Sequence, residues 1–411
     1  MKFTKTTAAV IALSAFAGAA HAQSSVTLYG LVDAGVLYVN NKQISATVNP
    51  THGGALVGLS QANSSRFGLK GVEDLGGGLK AIFTLESGFT TGTGASAQGG
   101  LLFGRQAFVG LSSNQYGTLT LGHQRSVVAD MVGVLQSGDT WAGSGTNFGT
   151  PVMDVSNLNT TNRLNNAIRY QSPIYSGLQA GFLYSLGGQA GNFTGNQILE
   201  AALAYNNGPI VAGAGYTFTK NPYYASFGTV AGASVPGTTG TTASGNNMAS
   251  PIWQGYASAS SLQVATVGGS YAFGPANVGL VYTNTQFGGL GSVNPQGGKA
   301  AAGATGKATF NTGEINGTYN LTPALQLGAA YIYTHNSGAS NAVDGAHYNQ
   351  FNLGATYALS KRTSVYALGW YELASGTDST GAKARAQLGS GSGASTTNKQ
   401  VAAMVGMTQK F

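Results

Sequence analysis

The sequence predicts an all-β fold: a transmembrane antiparallel β-barrel of 16 strands, with short periplasmic turns, long extracellular loops and the third loop folded into the lumen. Three observations carry that expectation. Period-two alternation of apolar and small or polar residues recurs along the chain, as strands with one lipid-facing side require. Connections alternate strictly between short and long. Only 8% of the residues are charged, where soluble domains sit near about a quarter. Beyond the N-terminus no run reaches the roughly 18 consecutive apolar residues of a membrane helix, so a chain that crosses lipid must do so as a closed barrel.

The first 22 residues form a separate unit. Lys2 and Lys5 make a positive start, Ala8 to Ala20 an apolar run, and Ala20-His21-Ala22 a small-x-small cleavage site. Residues 1–22 are therefore expected to be a signal peptide, with the barrel in 23–411. Without Lys2 and Lys5 the chain holds 17 basic against 12 acidic residues. That mild excess, with no dense basic block, excludes nucleic acid as a partner. Cysteine is absent, so neither disulfides nor thiolate metal sites are available. No metal-ligand or phosphate-loop motif appears, and no cofactor is expected.

Sixteen segments read as strands: 25–39, 64–73, 78–89, 103–113, 117–125, 162–172, 177–187, 198–206, 209–220, 262–274, 276–287, 309–320, 323–335, 348–360, 362–374 and 400–411. In one, Leu178, Ala180, Phe182 and Tyr184 share a face against Gln179, Gly181, Leu183 and Ser185. In another, Phe351, Leu353, Ala355, Tyr357 and Leu359 stand against Asn352, Gly354, Thr356 and Ala358. Short connections hold turn formers such as Asn206-Asn207-Gly208-Pro209, Gly274-Pro275 and Leu321-Thr322-Pro323. Long ones span 40–63, 90–102, 126–161, 188–197, 221–261, 288–308, 336–347 and 375–399. Seven short turns and eight long loops place both termini on the periplasmic side. The Gly, Thr, Ser and Asn tract from Ala231 to Ser250 has too little apolar mass to pack and suits an exposed tip. Tyr29, Tyr38, Phe89, Tyr170, Tyr216, Tyr319, Tyr333 and Tyr371 fall near strand ends, where aromatic rings favour the headgroup level.

One loop differs from the rest. Residues 126–161 carry Val127, Val128, Met131, Val132, Val134, Leu135, Trp141, Phe148, Val152, Met153 and Val155, which need somewhere to pack. The barrel interior is the expected place, an external cap or a subunit contact the other. The loop brings Asp130, Asp139 and Asp154. The flanking walls bring Arg66, Lys70, Arg105, Arg125, Arg163 and Arg169. A charge facing hydrocarbon is expensive, so these basic groups are expected to line the lumen. Acidic loop and basic wall would set a transverse field that favours small hydrophilic solutes, and anions over cations. His123, two residues before Arg125, is expected to join them. Ser126, His123 and Asp130 can be written as a nucleophile–base–acid trio, but no spacing supports an enzyme. An adhesin or structural barrel is the alternative outside transport.

Several motifs carry a family resemblance. They are Ser25-Val-Thr-Leu-Tyr-Gly-Leu-Val-Asp-Ala-Gly35, Ser65-Arg-Phe-Gly-Leu-Lys-Gly-Val-Glu-Asp-Leu-Gly-Gly-Gly-Leu-Lys-Ala81, Leu85-Glu86-Ser87-Gly88-Phe89, Arg105-Gln-Ala-Phe-Val-Gly-Leu111, Gly117-Thr-Leu-Thr-Leu-Gly122 and the terminal Phe411. With them the chain resembles the general trimeric outer-membrane porins of β-proteobacteria, of the Burkholderia, Bordetella and Neisseria kind. The resemblance implies a homotrimer set in outer-membrane lipid and lipopolysaccharide, each barrel narrowed by its third extracellular loop. It implies passive passage of small hydrophilic solutes and inorganic ions, often with anion preference. Arg66, Arg105 and Arg125 look like the family's basic pore lining, Asp130 like the acid that opens the constriction loop, and Phe411 like the signal read by the barrel-assembly machinery. The chain departs at His123, where the family often has Arg, and in its tail Gly406-Met-Thr-Gln-Lys-Phe411, which lacks an inward Arg. Its loop also lacks the Pro-Glu-Phe-Gly pattern of enteric relatives.

Overall fold

Seventeen strand segments follow one another along the chain: β1 (Ser25–Gln43), β2 (Gly53–Ser60), β3 (Arg66–Gly76), β4 (Leu79–Gly88), β5 (Gln106–Ser113), β6 (Gly117–Gln124), β7 (Leu164–Gln171), β8 (Leu178–Ser185), β9 (Ile198–Asn207), β10 (Ile210–Lys220), β11 (Ser261–Phe273), β12 (Ala276–Leu290), β13 (Gly306–Asn320), β14 (Leu325–Asn336), β15 (Ala346–Ala358), β16 (Thr363–Gly376) and β17 (Lys399–Lys410). The computed structural model describes residues 25–44, 52–225, 248, 250–292, 304–339, 344–389 and 393–411. The expected signal peptide, and the Ala231–Ser250 tract apart from Met248 and Ser250, lie outside these residues.

Paired strands run antiparallel, and β1 also pairs with β17, so the sheet closes on itself. Both β2 and β3 lie along β1, the first against Gly35–Gln43 and the second against Ser25–Leu31. Seventeen segments therefore fill sixteen positions, and the second barrel strand is broken in the middle. The break is built around Asp33, which is fully buried. Its carboxylate accepts from the Ala62 backbone N–H at 2.8 Å, the Asn63 amide at 3.0 Å, the Tyr366 hydroxyl at 2.7 Å and the Thr408 hydroxyl. The sequence placed 53–60 in a loop; its Ala55-Leu56-Val57-Gly58-Leu59 alternation is in fact strand, with Val57 and Leu59 facing out.

Side-chain exposure inverts the usual globular pattern. Outward Phe351, Leu353 and Tyr357 are 48%, 63% and 46% exposed, while inward Asn352 is 1% exposed. Apolar outside and polar inside is what a barrel in hydrocarbon requires. The expected faces of 178–185 and 351–359 are those observed. Among the aromatics, Tyr29 is a correction. It stands directly opposite Gly68, on the face of Arg66, and its hydroxyl donates to Glu86 at 3.0 Å inside the barrel. A carboxylate partner outweighs the headgroup preference of a phenol ring.

The buried apolar clusters all lie between loops and the inner wall. One joins Ile252, Trp253 and Tyr256 to Phe287, Phe310 and Tyr348 on strands and to Val152 and Val155 of the third loop. The end of the 221–260 connection thus folds into the extracellular mouth, and Ser379 of the last loop donates to the Pro251 carbonyl at 2.6 Å beside it.

Candidate functional site

Residues 125–163 enter the lumen. The segment opens as a short helix, α1 (Val127–Val132), capped by the Ser126 hydroxyl, which accepts from the Ala129 N–H at 3.1 Å. Glu200 on β9 fixes that end: its carboxylate accepts from the Ser126 hydroxyl and the Val127 N–H, both at 2.8 Å. A carboxylate here also meets the positive end of the turn. α1 buries Val127, Val128, Met131 and Val132 against β8, β9 and β10. Close approach needs an inner wall without side chains. A Cβ on Gly215 would lie 2.5 Å from Val128 Cγ1.

The loop then follows the wall strand by strand. Asn316 on β13 donates to the Leu135 carbonyl at 2.9 Å, and Glu314 accepts from the Ser137 N–H at 2.6 Å. The Trp141 ring lies over Gly328 of β14 and Gly354 of β15. Asn352 donates to the Gly149 carbonyl at 2.9 Å, and Trp370 on β16 to the Ala142 carbonyl at 2.8 Å. Gly145 reaches the strand break itself, donating to the Ala62 carbonyl at 2.6 Å. The loop thus lines the wall from β8 round to β16 and leaves β3 to β7 open except where α1 meets Leu164, Ala167 and Arg169 of β7. On its short-turn side a cavity of about 510 Å³ separates Val134, Leu135 and Trp141 from Arg66 and Lys410.

Space at Gly328 decides how far the loop stands off the wall. A Cβ there would sit 2.6 Å from the Trp141 ring, so Gly328→Val must push the indole toward the open side. Single-channel conductance is expected to fall while heat-modifiable gel mobility, a measure of barrel integrity, stays unchanged.

The bare wall carries the charges. Glu86 on β4 holds Arg105 at 2.6 Å and Arg66 at 3.7 Å. Asp130, on α1, holds Arg125 at 2.6 Å and Arg169 at 2.7 Å, and Asp139 lies 3.7 Å from Arg125. Arg163 is buried at the foot of β7 within the field of Arg105, Arg125, Glu86 and Asp130. It has no ion pair among the described residues, and its Nε has no hydrogen-bond partner. Burial first, then the charges of Arg105 and Arg125, push its pKa well below the ordinary arginine value. Five guanidinium groups thus meet three carboxylates, an excess of two positive charges.

The remaining expected residues are placed as follows. Lys70 shares the inward face of Arg66 nearer the short turns, its Nζ 5.4 Å from the Tyr29 ring centroid. Asp154 does not meet the basic wall. It is buried inside the loop, where it accepts from the Asn159 N–H at 2.9 Å and from the Thr161 N–H and hydroxyl. His123 is a second correction. It stands directly opposite Ala107 in the outward row of Leu119 and Leu121, with Nδ1 2.6 Å from Asn165 Oδ1 and Nε2 3.1 Å from the Gly104 carbonyl. Parity with Arg125 misleads because β6 ends at Gln124; past the strand end the chain turns inward and Arg125 swings to the lumen. His123, Ser126 and Asp130 share no hydrogen bond, since each is committed elsewhere. Phe411 closes the ring through two backbone bonds to Gly30, at 3.2 and 3.1 Å.

Sequence reasoning missed the wall carboxylates Asp33, Glu86, Glu200, Glu314 and Glu372, which hold arginines or loop backbone. The signal was present: a lone acid at inward parity in a neutral strand must have a partner inside.

A sixteen-position barrel with an apolar outside, a polar inside and a loop narrowing its lumen is an outer-membrane channel. The model of the Gram-negative porin family matches residues 7–372, and the chain belongs to that family. It is 34% identical over 400 residues to an outer membrane porin protein of Bordetella pertussis, covering 89% of this chain and 94% of that one. Outer membrane porin protein 32 of Delftia acidovorans is 37% identical over 220 residues, covering 51% of this chain and 58% of that one. Among solved structures, an anion-selective porin from Comamonas acidovorans superposes with a TM-score of 0.68 at 24% identity, over 95% of this chain and all of that one. The Salmonella typhi OmpF structure gives 0.56 at 18% identity, over 94% and 97%. At these identities the two structures establish the fold.

Proposed function

We propose that this porin is a general diffusion channel for small hydrophilic solutes and inorganic ions, weakly favouring anions, and that it works as a homotrimer of the β-proteobacterial kind. The observation that carries this reading is the wall of Arg66, Arg105, Arg125, Arg163 and Arg169, with Lys70 below it, beside the opening left by the loop and only partly compensated by Glu86, Asp130 and Asp139. Two uncompensated charges lower the barrier for anions without closing the path to cations. The anion selectivity of the Comamonas porin supports the same sign. An aliphatic outward flank formed by β1, β5, β6 and β17, with Val32, Val36, Val109, Leu111, Leu121, Val401 and Val405, supports a subunit contact there. Residues 1–22 serve as the signal peptide and Phe411 as the assembly signal in this reading.

Planar-bilayer recording tests it. Stepwise insertions in threes, ohmic conductance and a reversal potential of modest anion sign are expected across a salt gradient. Folded protein without ion flux would sink the channel reading. A second reading, a porin specific for one anion or organic acid, is favoured by the unpaired Arg163 and would appear as conductance that saturates with one solute.

Acid is expected to raise anion preference. Burial pushes the Asp139 carboxyl up to about 6; Arg125 pulls the other way, and Asp154 and Asp130 add to the rise. Near pH 5 the group is therefore mostly neutral and the gap gains one net positive charge. The raised pKa means the folded state binds the proton more tightly than the unfolded one. Loop packing is therefore strengthened as pH falls from about 6, and acid does not release the loop. Reversal potentials at pH 7.5 and pH 5 in wild type and Asp139→Asn check this: the variant is expected to show the acid value at both.

A further inference from the structure

The outward face of β12 to β16 changes character along its height. One level carries Leu280, Ile315, Tyr331, Phe351 and Tyr371, directly opposite one another in register. The next level toward the long loops carries Tyr282, Tyr333 and Asn349. Above it Asn284, Asn311, His335, His347 and Ser375 form an unbroken cross-strand row. Two levels of aliphatic and aromatic side chains, the upper already holding Asn349, followed by a wholly polar row give the profile of a leaflet boundary, and the polar row stands at headgroup height.

We propose that this row, centred on His335 and His347, binds the phosphorylated headgroup of an outer-leaflet glycolipid. The two imidazoles stack with ring centroids 4.6 Å apart and planes 11° apart, so they present paired edges to one ligand. The Tyr333 hydroxyl lies 2.8 Å from His347 Nδ1. When that hydroxyl donates, the ring proton stays on Nε2, where it can reach a phosphate oxygen. Asn311 Oδ1 accepts from both the Tyr282 hydroxyl and the Asn284 amide at 2.8 Å, which orients the Asn311 amide beside the pair. Lys307 lies exposed on the same outward face, four residues further toward the loops. The match in charge is one-sided. Glu314 and Glu372, the carboxylates on these five strands, face the lumen, and Asp344 stands in the loop between β14 and β15. An anionic headgroup fits donors and cations at this height; a bare acyl chain does not.

The test uses the full-length protein in detergent and two probes, bisphosphorylated lipid A and the same lipid enzymatically dephosphorylated. Native mass spectrometry is expected to give at least fivefold tighter binding of the phosphorylated form. The His335→Ala/His347→Ala double variant should lose that preference, and Lys307→Ala should weaken it about twofold. Equal binding of both lipids by wild type, or an undiminished preference in the double variant, overturns the proposal. Bilayer conductance of the double variant is expected to match wild type, which separates this surface from the pore.

Discussion

Replacing Arg163 by alanine is expected to lower the anion-to-cation permeability ratio about fivefold without destabilising the barrel. The magnitude corresponds to the loss of one unit charge behind the basic wall, acting on the solute path on the order of 1 kcal/mol through partly screened surroundings. What sets Arg163 apart is its lack of a partner. Arg105 and Arg66 share Glu86, and Arg125 and Arg169 share Asp130. Loss of any of these four leaves a carboxylate to re-pair or take a proton, which blunts the change. Arg163 leaves no ion-paired carboxylate behind, and Asp139 and Asp154 lose only a longer-range attraction. For the same reason the substitution removes a buried unpaired charge, so thermal stability should hold or rise, opposite to the usual cost of deleting a buried polar side chain. Arg163→Lys divides the two readings of the pore. If only the field matters, lysine restores the ratio; if a planar guanidinium grips one anion, lysine fails and saturable conductance disappears with it.

The second large effect concerns the loop. Glu200→Ala together with Glu314→Ala is expected to raise single-channel conductance severalfold and add open-channel noise. Each carboxylate takes up backbone N–H groups that have no water to turn to, at the helix start and at Ser137. Losing each should cost roughly 1.5–3 kcal/mol. Losing both leaves the loop held on the β8–β13 side by side-chain packing and the single hydrogen bond from Asn316 to the Leu135 carbonyl. Glutamine at both positions keeps a carbonyl acceptor and should give an intermediate channel. Unchanged conductance in the alanine pair would mean that the Trp141, Asn352 and Trp370 contacts suffice to seat the loop. Gly328→Val acts in the opposite direction, since it crowds the loop from behind.

How much of this was legible in the residues follows from the physics of each feature. Strand positions were readable because lipid enforces alternation: the segment expected at 198–206 runs Ile198–Asn207, and that at 276–287 runs Ala276–Leu290. The inward turn of the third loop was readable because Val127, Met131 and Trp141 had no other apolar place to go. Parity gave the facing of Arg66 and Arg169, which lie within strands. It failed for His123, whose comparison with Arg125 crossed a strand end. The strand at 53–60 was hidden by its brevity and glycines, and its hydrogen bonds go partly to a stretch of β1 beyond residue 39, where the alternation fades. Least legible were the partners of buried acids, because a glutamate's inward facing follows from parity but the loop N–H it will meet does not.

The ring is completed by its most distant pair. Leu31 to Val39 lie against Ala402 to Lys410, and Phe411 is bonded to Gly30. Nearly the entire described chain separates those partners, so the seam is the entropically slowest contact and can form only after every intervening hairpin is in register. Until then β1 and β17 present bare backbone edges, each unmet group costing several kcal/mol in hydrocarbon. Loss of a dozen residues at this end would therefore not give a slightly weaker pore. It would leave an open sheet that cannot enter the membrane at all, a quality check on synthesis built into the order of the strands.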